Sequence, residues 1–291
     1  MSAVLLALAS AVCFGAMAVA LRIGIRSHPE PDIAAVVTTV VGFLVAVTAA
    51  AFESGTGELA RPRELAVFAL AGLIAPGVSQ IFLALAVRDA GASRTSVVVG
   101  SAPLFAATLA ILLLDEPFEW PLAIGAVLIV GAGILLAAET VRPAHFRLAG
   151  MAFALAATIL FSTRDIVVRW YSVDAVLGSV EAAAAAMAAG TLMLLAYAVA
   201  VRRGQVVHAL TRPALLGFVP AGILFGLSYV LLFEAYYRGK VTVVSPLVAT
   251  ESLWGVLLAA LVLRRSELVG SRLVLGAALV VAGGALIGAF R

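Results

Sequence analysis

The sequence predicts an all-α integral membrane protein, with ten transmembrane helices in two inverted five-helix repeats. Three observations predict it. Of 291 residues, 64% are hydrophobic and only 12% charged, against about 25% charged in an ordinary soluble domain. The apolar residues gather in ten stretches, each near the roughly 20 residues a helix needs to cross a bilayer. The two halves of the chain also repeat a set of landmarks at matching spacings. So few charges cannot cover a water-facing surface, which excludes a soluble enzyme, a disordered chain and a nucleic-acid module. The net charge of +3 reflects how little else is charged. No basic run reads as a nucleic-acid patch, so no nucleic acid is expected as a partner.

The elements follow in order. The first stretch, residues 3–21, has the apolar core of a signal peptide but no positive n-region, its first basic residue being Arg22. It is therefore read as a permanent helix. Residues 33–52 and 65–87 come next, and Pro76-Gly77 should distort the third helix near mid-membrane. Residues 95–114, with Pro103, and 120–138 complete the first half. In the last of these, Gly125, Gly131 and Gly133 suit close helix packing. The second half reads as 148–170, 175–201, 214–237, 241–263 and 273–290. Pro246 lies in the ninth stretch, and Gly276, Gly283 and Gly284 in the tenth. The strands of a membrane barrel would alternate apolar and polar residues. These runs are apolar all round, and helices are then the spanning option.

The repeat rests on spacing. Glu116, Gly125 and Gly133 are nine and eight residues apart, as are Glu267, Gly276 and Gly284. Phe14 and Arg22 lie eight apart, as do Phe161 and Arg169. Arg61-Pro62 precedes Ala71-Gly72, and Arg212-Pro213 precedes Ala221-Gly222. Five helices are an odd number, so the second copy must enter the membrane in the opposite orientation. That is the plan of secondary transporters, whose substrate site lies near the midplane between the repeats.

Residues 88–136 and 237–287 resemble the C-terminal parts of two EamA repeats. Each has a turn with glycine (Gly91, Gly239), a helix with proline (Pro103, Pro246), an acidic residue (Glu116, Glu267) and a Gly-rich helix. The chain thus resembles the ten-helix branch of the drug/metabolite transporter superfamily, with one repeat over residues 1–140 and a second over 147–291. In the second copy Glu251 or Trp254 stands opposite Pro103, and Pro246 is its own helix break. The resemblance implies a secondary transporter, of the exporter type, for a small metabolite such as an amino acid or related compound. It implies alternating access, often linked to protons, in a bacterial inner (plasma) membrane, as a monomer or homodimer. It further implies a cavity lined by the first, third, fourth, sixth, eighth and ninth helices.

An ionisable group deep in a bilayer costs roughly 2.5–3.5 kcal/mol and usually faces a cavity. Glu251 is the clearest case, near the middle of the ninth stretch. It can exchange a proton or hold a substrate ammonium, or else bond a neighbouring helix as a structural carboxylate. Arg164 and Asp165 are the second candidate, and Asp165 is a second proton-coupling candidate. Adjacent helical residues point about 100° apart, so each is expected to find a partner elsewhere. Ser79 and Gln80 follow Pro76-Gly77 and can bond a polar substrate group. Tyr229 follows Ser228, the repeat counterpart of Ser79. Trp254 and Phe225 can stack on an apolar ligand part. Pro76, Pro103 and Pro246 are hinge candidates. Arg22 and Arg169 end their helices at matching positions and are expected to snorkel to headgroups. Glu181 and Glu234 are placed to reach water.

Other classes carry less. Cys13 is the single cysteine, and His28, His145 and His208 lie far apart without an HExxH pair, so no metal is expected. No Walker A motif is present, which removes ATP hydrolysis by this chain, and no cofactor is expected. An intramembrane enzyme lacks a recognisable constellation. A non-transporting scaffold predicts tolerance of Glu251→Gln, and a channel would not need an inverted repeat. For orientation, two readings stand. The odd-numbered connections hold 12 of the 19 Lys and Arg, which favours outside termini, whereas the resemblance implies cytoplasmic ones.

Overall fold

The computed structural model describes residues 2–53, 62–114, 120–138, 142–172, 175–202, 212–239, 241–264 and 267–289. Glu116 and His208 lie outside the described residues. All regular structure among the described residues is helical. In chain order it runs α1 (Ala3–Ser27), α2 (Pro31–Glu53), α3 (Pro62–Gly72), a π-helical stretch (Leu73–Val78), α4 (Ser79–Ala90), α5 (Ala92–Val99), α6 (Ala102–Leu114) and α7 (Trp120–Ala137). It continues as α8 (Leu148–Ser172), α9 (Ser179–Arg202), α10 (Arg212–Arg238), α11 (Val241–Val248), α12 (Glu251–Leu258), a second π-helical stretch (Ala259–Leu263) and α13 (Ser271–Ala289).

Among the described residues, seven helices are long and apolar enough to cross a membrane. They are Ala3–Ser27, Pro31–Phe52, Pro62–Ala90, Leu148–Ser172, Ser179–Val201, Arg212–Arg238 and Val244–Leu263. Ala123–Leu136 and Ser271–Ile287 are apolar but shorter, and the fourth stretch is divided between α5 and α6. Local chemistry sets several ends. Prolines open α2 and α3 at the first helical position, where the missing N–H is not needed, and Asp32 and Glu64 sit in those first turns, where the helix dipole favours acids.

Pro76 distorts the third span where expected. Ala75 leaves the helical region (φ −144°, ψ 117°), and the Ala75–Pro76 peptide is cis.

The main core joins α1, α2, α4, α8, α9 and α10 through residues such as Met17, Leu21, Ile33, Leu83, Phe161, Met187 and Phe225. A smaller core joins α5, α7, α12 and α13 through Val97, Leu136, Val256 and Val280. Within the second, a Cβ on Gly125 would lie 2.7 Å from the Gly283 carbonyl oxygen, and one on Gly283 would lie 2.6 Å from that of Gly125. These two glycines do let α7 and α13 touch backbone to backbone. Gly131 and Gly133 do not: a Cβ on either meets nothing within 4 Å.

Helices α2 and α10 cross in the same way. A Cβ on Gly226 would fall 2.6 Å from the Gly42 carbonyl oxygen and 2.7 Å from Val45 Cβ. Backbone cannot step aside, so Gly226→Leu should destabilise the protein by about 1–3 kcal/mol. Thermal unfolding in detergent checks this, with Gly131→Leu as the control expected to stay within about 0.5 kcal/mol.

Candidate functional site

Two helices are broken at corresponding places. Gly100–Ser101 is a turn between α5 and α6, and Ala249–Thr250 is a turn between α11 and α12. Each break interrupts the regular helical ladder, and backbone groups within a bilayer must be satisfied internally. The Val98, Leu247 and Ala249 carbonyls accept N–H groups three residues on, and hydroxyls add further bonds. The Val98 carbonyl accepts from Ser101 Oγ (2.6 Å) and Thr158 Oγ1 (3.4 Å), and the Ala102 carbonyl accepts from Ser162 Oγ (3.2 Å). Across the second break, the Leu247 carbonyl accepts from Thr250 Oγ1 (2.6 Å) and the Ala249 carbonyl from Ser252 Oγ (2.9 Å). The breaks face each other closely. A Cβ on Gly100 would lie 2.7 Å from Ser252 Cβ, and one on Gly15 of α1 would lie 2.8 Å from Gly255 N.

Glu251 is the first residue of α12, directly after the break, and is 4% exposed. The positive end of the helix dipole favours a carboxylate there. It interacts electrostatically with Asp165 and Arg164 of α8. Arg164 is 3% exposed, and its Nε lies 2.7 Å from Asp165 Oδ1. Neighbours in sequence therefore do pair, contrary to expectation. Their Cβ atoms diverge, but a guanidinium on a long flexible stem reaches back to the carboxylate. The Tyr236 hydroxyl donates to Asp165.

The Arg164 guanidinium carbon stands 4.5 Å over the ring of Tyr229, 5.6 Å from that of Phe161 and 6.0 Å from that of Phe233. Such contacts hold a desolvated cation by its attraction to the ring faces. Phe225, Tyr229, Phe233 and Tyr236 fall on one face of α10 because their spacing is four, four and three. Phe225 and Tyr229 are 4.9 Å apart and edge-on, and Tyr229 and Phe233 are 5.6 Å apart and stacked. Phe14 of α1 closes the wall against Phe161 (5.6 Å) and Phe225 (6.3 Å). Within this wall, Arg164 Nη1 and the Tyr229 hydroxyl are buried without a hydrogen-bond partner.

The structure thus brings together Glu251, Asp165, Arg164 and Tyr229. Trp254 is one turn beyond Glu251, half-buried, its Cβ against Gly15. Ser79 and Gln80 are fully buried at the start of α4, which packs on α8, and Ser79 Oγ and both polar atoms of Gln80 lack partners. Ser228, by contrast, is tied to Ser10, with their hydroxyls 3.0 Å apart. Among the hinge candidates, Pro76 lies in the kink and Pro246 three residues before the second break. Pro103 follows the first break and packs against Gly284 of α13.

A second buried cluster was not foreseen. Glu267 is 0% exposed. Its carboxylate accepts from the N–H groups of Ala92 (3.3 Å) and Ser93 (3.4 Å) and from Ser93 Oγ (2.7 Å), capping α5. Arg22 Nε lies 3.3 Å from it, and Arg94 Nη1 donates to the Glu267 carbonyl at 2.9 Å. Gly91 precedes α5 with φ +89°, and a Cβ there would come within 2.7 Å of Glu267 Oε1. Arg22 does not snorkel: it is 6% exposed and also donates to the Arg88 carbonyl at 3.1 Å. Arg169 repeats that contact, donating to the Tyr236 carbonyl at 3.0 Å. Both arginines satisfy the C-terminal carbonyls of a neighbouring helix. Glu181 and Glu234 do not simply meet water either. Glu181 caps the start of α9 by accepting from Gly178 N–H at 2.8 Å, and Glu234 holds Ser179 and Arg238. The matching Glu116 and Glu267 positions are the signal in the sequence, where they stand out as a repeat landmark and nothing local marks a buried cluster.

Comparison with known proteins gives one family and one fold. The profile of the EamA-like transporter family matches residues 1–138 and again 148–289. A solved structure, described only as the crystal structure of a protein, is 20% identical over 98% of this chain and 95% of its own, with a TM-score of 0.62. At that identity the likeness shows the fold alone. No curated protein matches the chain.

Proposed function

Because the chain belongs to the EamA-like transporter family, membrane transporters of small substrates, we propose that it exports a small metabolite by alternating access, coupled to protons. In this reading ten helices cross a bacterial inner membrane as two inverted five-helix repeats, residues 1–140 and 147–291. The substrate is an amino acid or a related compound.

The observation that carries the proposal is the charge count at the second break. One guanidinium, Arg164, faces two carboxylates, Asp165 and Glu251. Arg164 and Asp165 neutralise each other. Glu251 then wants one more positive charge, and either a proton or a substrate ammonium supplies it. Two ligands that compete for one carboxylate bind in turn, and that is the elementary requirement of exchange. Arg164 Nη1 and the Tyr229 hydroxyl offer donors to a substrate carboxylate, Trp254 offers an apolar surface, and Ser79 and Gln80 offer polar atoms. Pro76, Pro103 and Pro246 mark where the helices bend as access changes sides.

Proteoliposomes loaded with labelled amino acids, nucleosides or sugars test the reading. Efflux of one class should accelerate when a pH gradient is imposed and slow when an ionophore dissipates it. Flux indifferent to the gradient removes the coupling. No flux of any class, from protein that is folded, would leave a scaffold instead.

A further inference from the structure

Buried polarity without charge gathers on α4 and α2. Gln80 is fully buried near the start of α4, and neither its amide oxygen nor its amide nitrogen has a hydrogen-bond partner. Ser79 Oγ beside it has none either. Thr38 and Thr39 of α2, which packs on α4, are fully buried and both hydroxyls lack partners. Counted from the helix ends, Thr38 and Gln80 lie at a similar depth, roughly 10–15 Å in. A threonine in a membrane helix commonly settles its hydroxyl on the carbonyl four residues back. Thr48, Thr108, Thr158 and Thr163 do so, at 2.7 to 2.8 Å. Thr38 and Thr39 do not. The bilayer core offers such groups no partner, so each calls for an explanation.

The repeat accounts for Ser79. In the second copy Ser228 bonds Ser10, which lies four residues before Phe14. Four residues before Phe161, the counterpart of Phe14, stands Ala157. The first copy thus lacks the hydroxyl that would pair with Ser79. The same correspondence sets Gln80 against Tyr229, each the residue after the serine. Phe14 and Phe161 touch at 5.6 Å, and counterparts in contact lie on the axis relating the two copies. Gln80 and Tyr229 therefore flank that axis from opposite sides, with the Arg164 cation on the Tyr229 side. No ionisable residue lies from Leu65 to Val87 or from Ile33 to Phe52. The Gln80 side is polar and uncharged.

Resting on the reading of the protein as a carrier of amino acids or related compounds, we propose that Gln80, with Ser79, selects the side group of the substrate. The group it selects is neutral and both donates and accepts hydrogen bonds, as a carboxamide does. A carboxamide meets the Gln80 amide donor to acceptor and acceptor to donor. An apolar group leaves both atoms of Gln80 unpaired. A charged group finds no counter-charge on the spans that carry Gln80 and Thr38.

The full chain, purified in detergent, is assayed for binding of L-glutamine, L-leucine and L-glutamate and for thermal unfolding. Glutamine should bind at least about tenfold tighter than either of the others. Gln80→Leu should erase that preference. It should also raise the Tm of the unliganded protein, because it removes two unpaired polar atoms at nearly constant size. A structural amide behaves in the opposite way: its loss lowers Tm and leaves the ranking of ligands intact. That result overturns the proposal. Leucine or glutamate binding the parent as tightly as glutamine also overturns it, while leaving the carrier of amino acids in place. Binding of none of the three removes the amino-acid reading, and this selection with it. If Gln80→Leu does not fold, the ranking of the three ligands on the parent decides alone.

Discussion

Glu251→Gln should abolish accumulation driven by a pH gradient while leaving the protein folded and able to exchange labelled for unlabelled substrate. The reasoning is electrostatic. Glutamine keeps the size of the side chain and its place at the start of α12, but it neither releases nor takes up a proton. The Arg164–Asp165 pair, 2.7 Å apart, remains neutral as a unit, so no uncompensated charge is created. A charge in a membrane helix costs roughly 2.5–3.5 kcal/mol, and its removal does not threaten folding. Counterflow needs only that the loaded carrier turn over, whereas accumulation needs the carboxylate to shuttle between proton and substrate. Proteoliposomes measured in both modes separate the two. Accumulation by the variant equal to that of the parent would strike Glu251 from the mechanism.

Glu267→Ala should cost about 3–5 kcal/mol, the range for removing one partner of a buried charge pair. The loss falls on several groups at once. Arg22 would lose its ion-pair partner and keep only the weaker pull of Asp89, and the N–H groups of Ala92 and Ser93 would lose their acceptor. Glu267→Gln should fall between, because it retains an acceptor oxygen but not the charge. Arg22→Met/Glu267→Met should recover much of the loss, since apolar residues of similar volume replace buried pairs well. Thermal and denaturant unfolding measure all three variants. A Glu267→Ala protein within about 0.5 kcal/mol of the parent would mean that this cluster is ornamental.

The helical class, the third-span kink at Pro76 and the family were readable because each depends on local composition or on motifs. Glu251 stands out in any window as a carboxylate amid apolar residues, and the structure buries it at the start of α12. What escaped was long-range pairing. Arg22 sits at a helix end, where its local surroundings predict a headgroup contact, but Glu267 lies far along the chain and nothing local announces their pairing. The Cβ directions of Arg164 and Asp165 predict no pair, but the length of an arginine side chain overrides them. The break at Gly100–Ser101 passed as part of an apolar run. Its supports, Thr158 and Ser162, sit on another helix and look like ordinary hydroxyls tolerated in a membrane segment. The glycines show the reverse error. Gly131 and Gly133 share the spacing of packing glycines, but they face open space while Gly125 meets Gly283.

The cap on α5 also has a meaning in time. Glu267 follows Ala92 by 175 residues, so it emerges long after α5 has been synthesised. Until then the first-turn N–H groups of that helix have no intrahelical acceptor, and the bilayer supplies none. Arg22 likewise gains its ion-pair partner only then. A chain truncated before the ninth connection therefore carries an uncapped α5 and an Arg22 held only by the Val87 and Arg88 carbonyls and the pull of Asp89. The later half is in this sense less a second copy than the closing piece of the first.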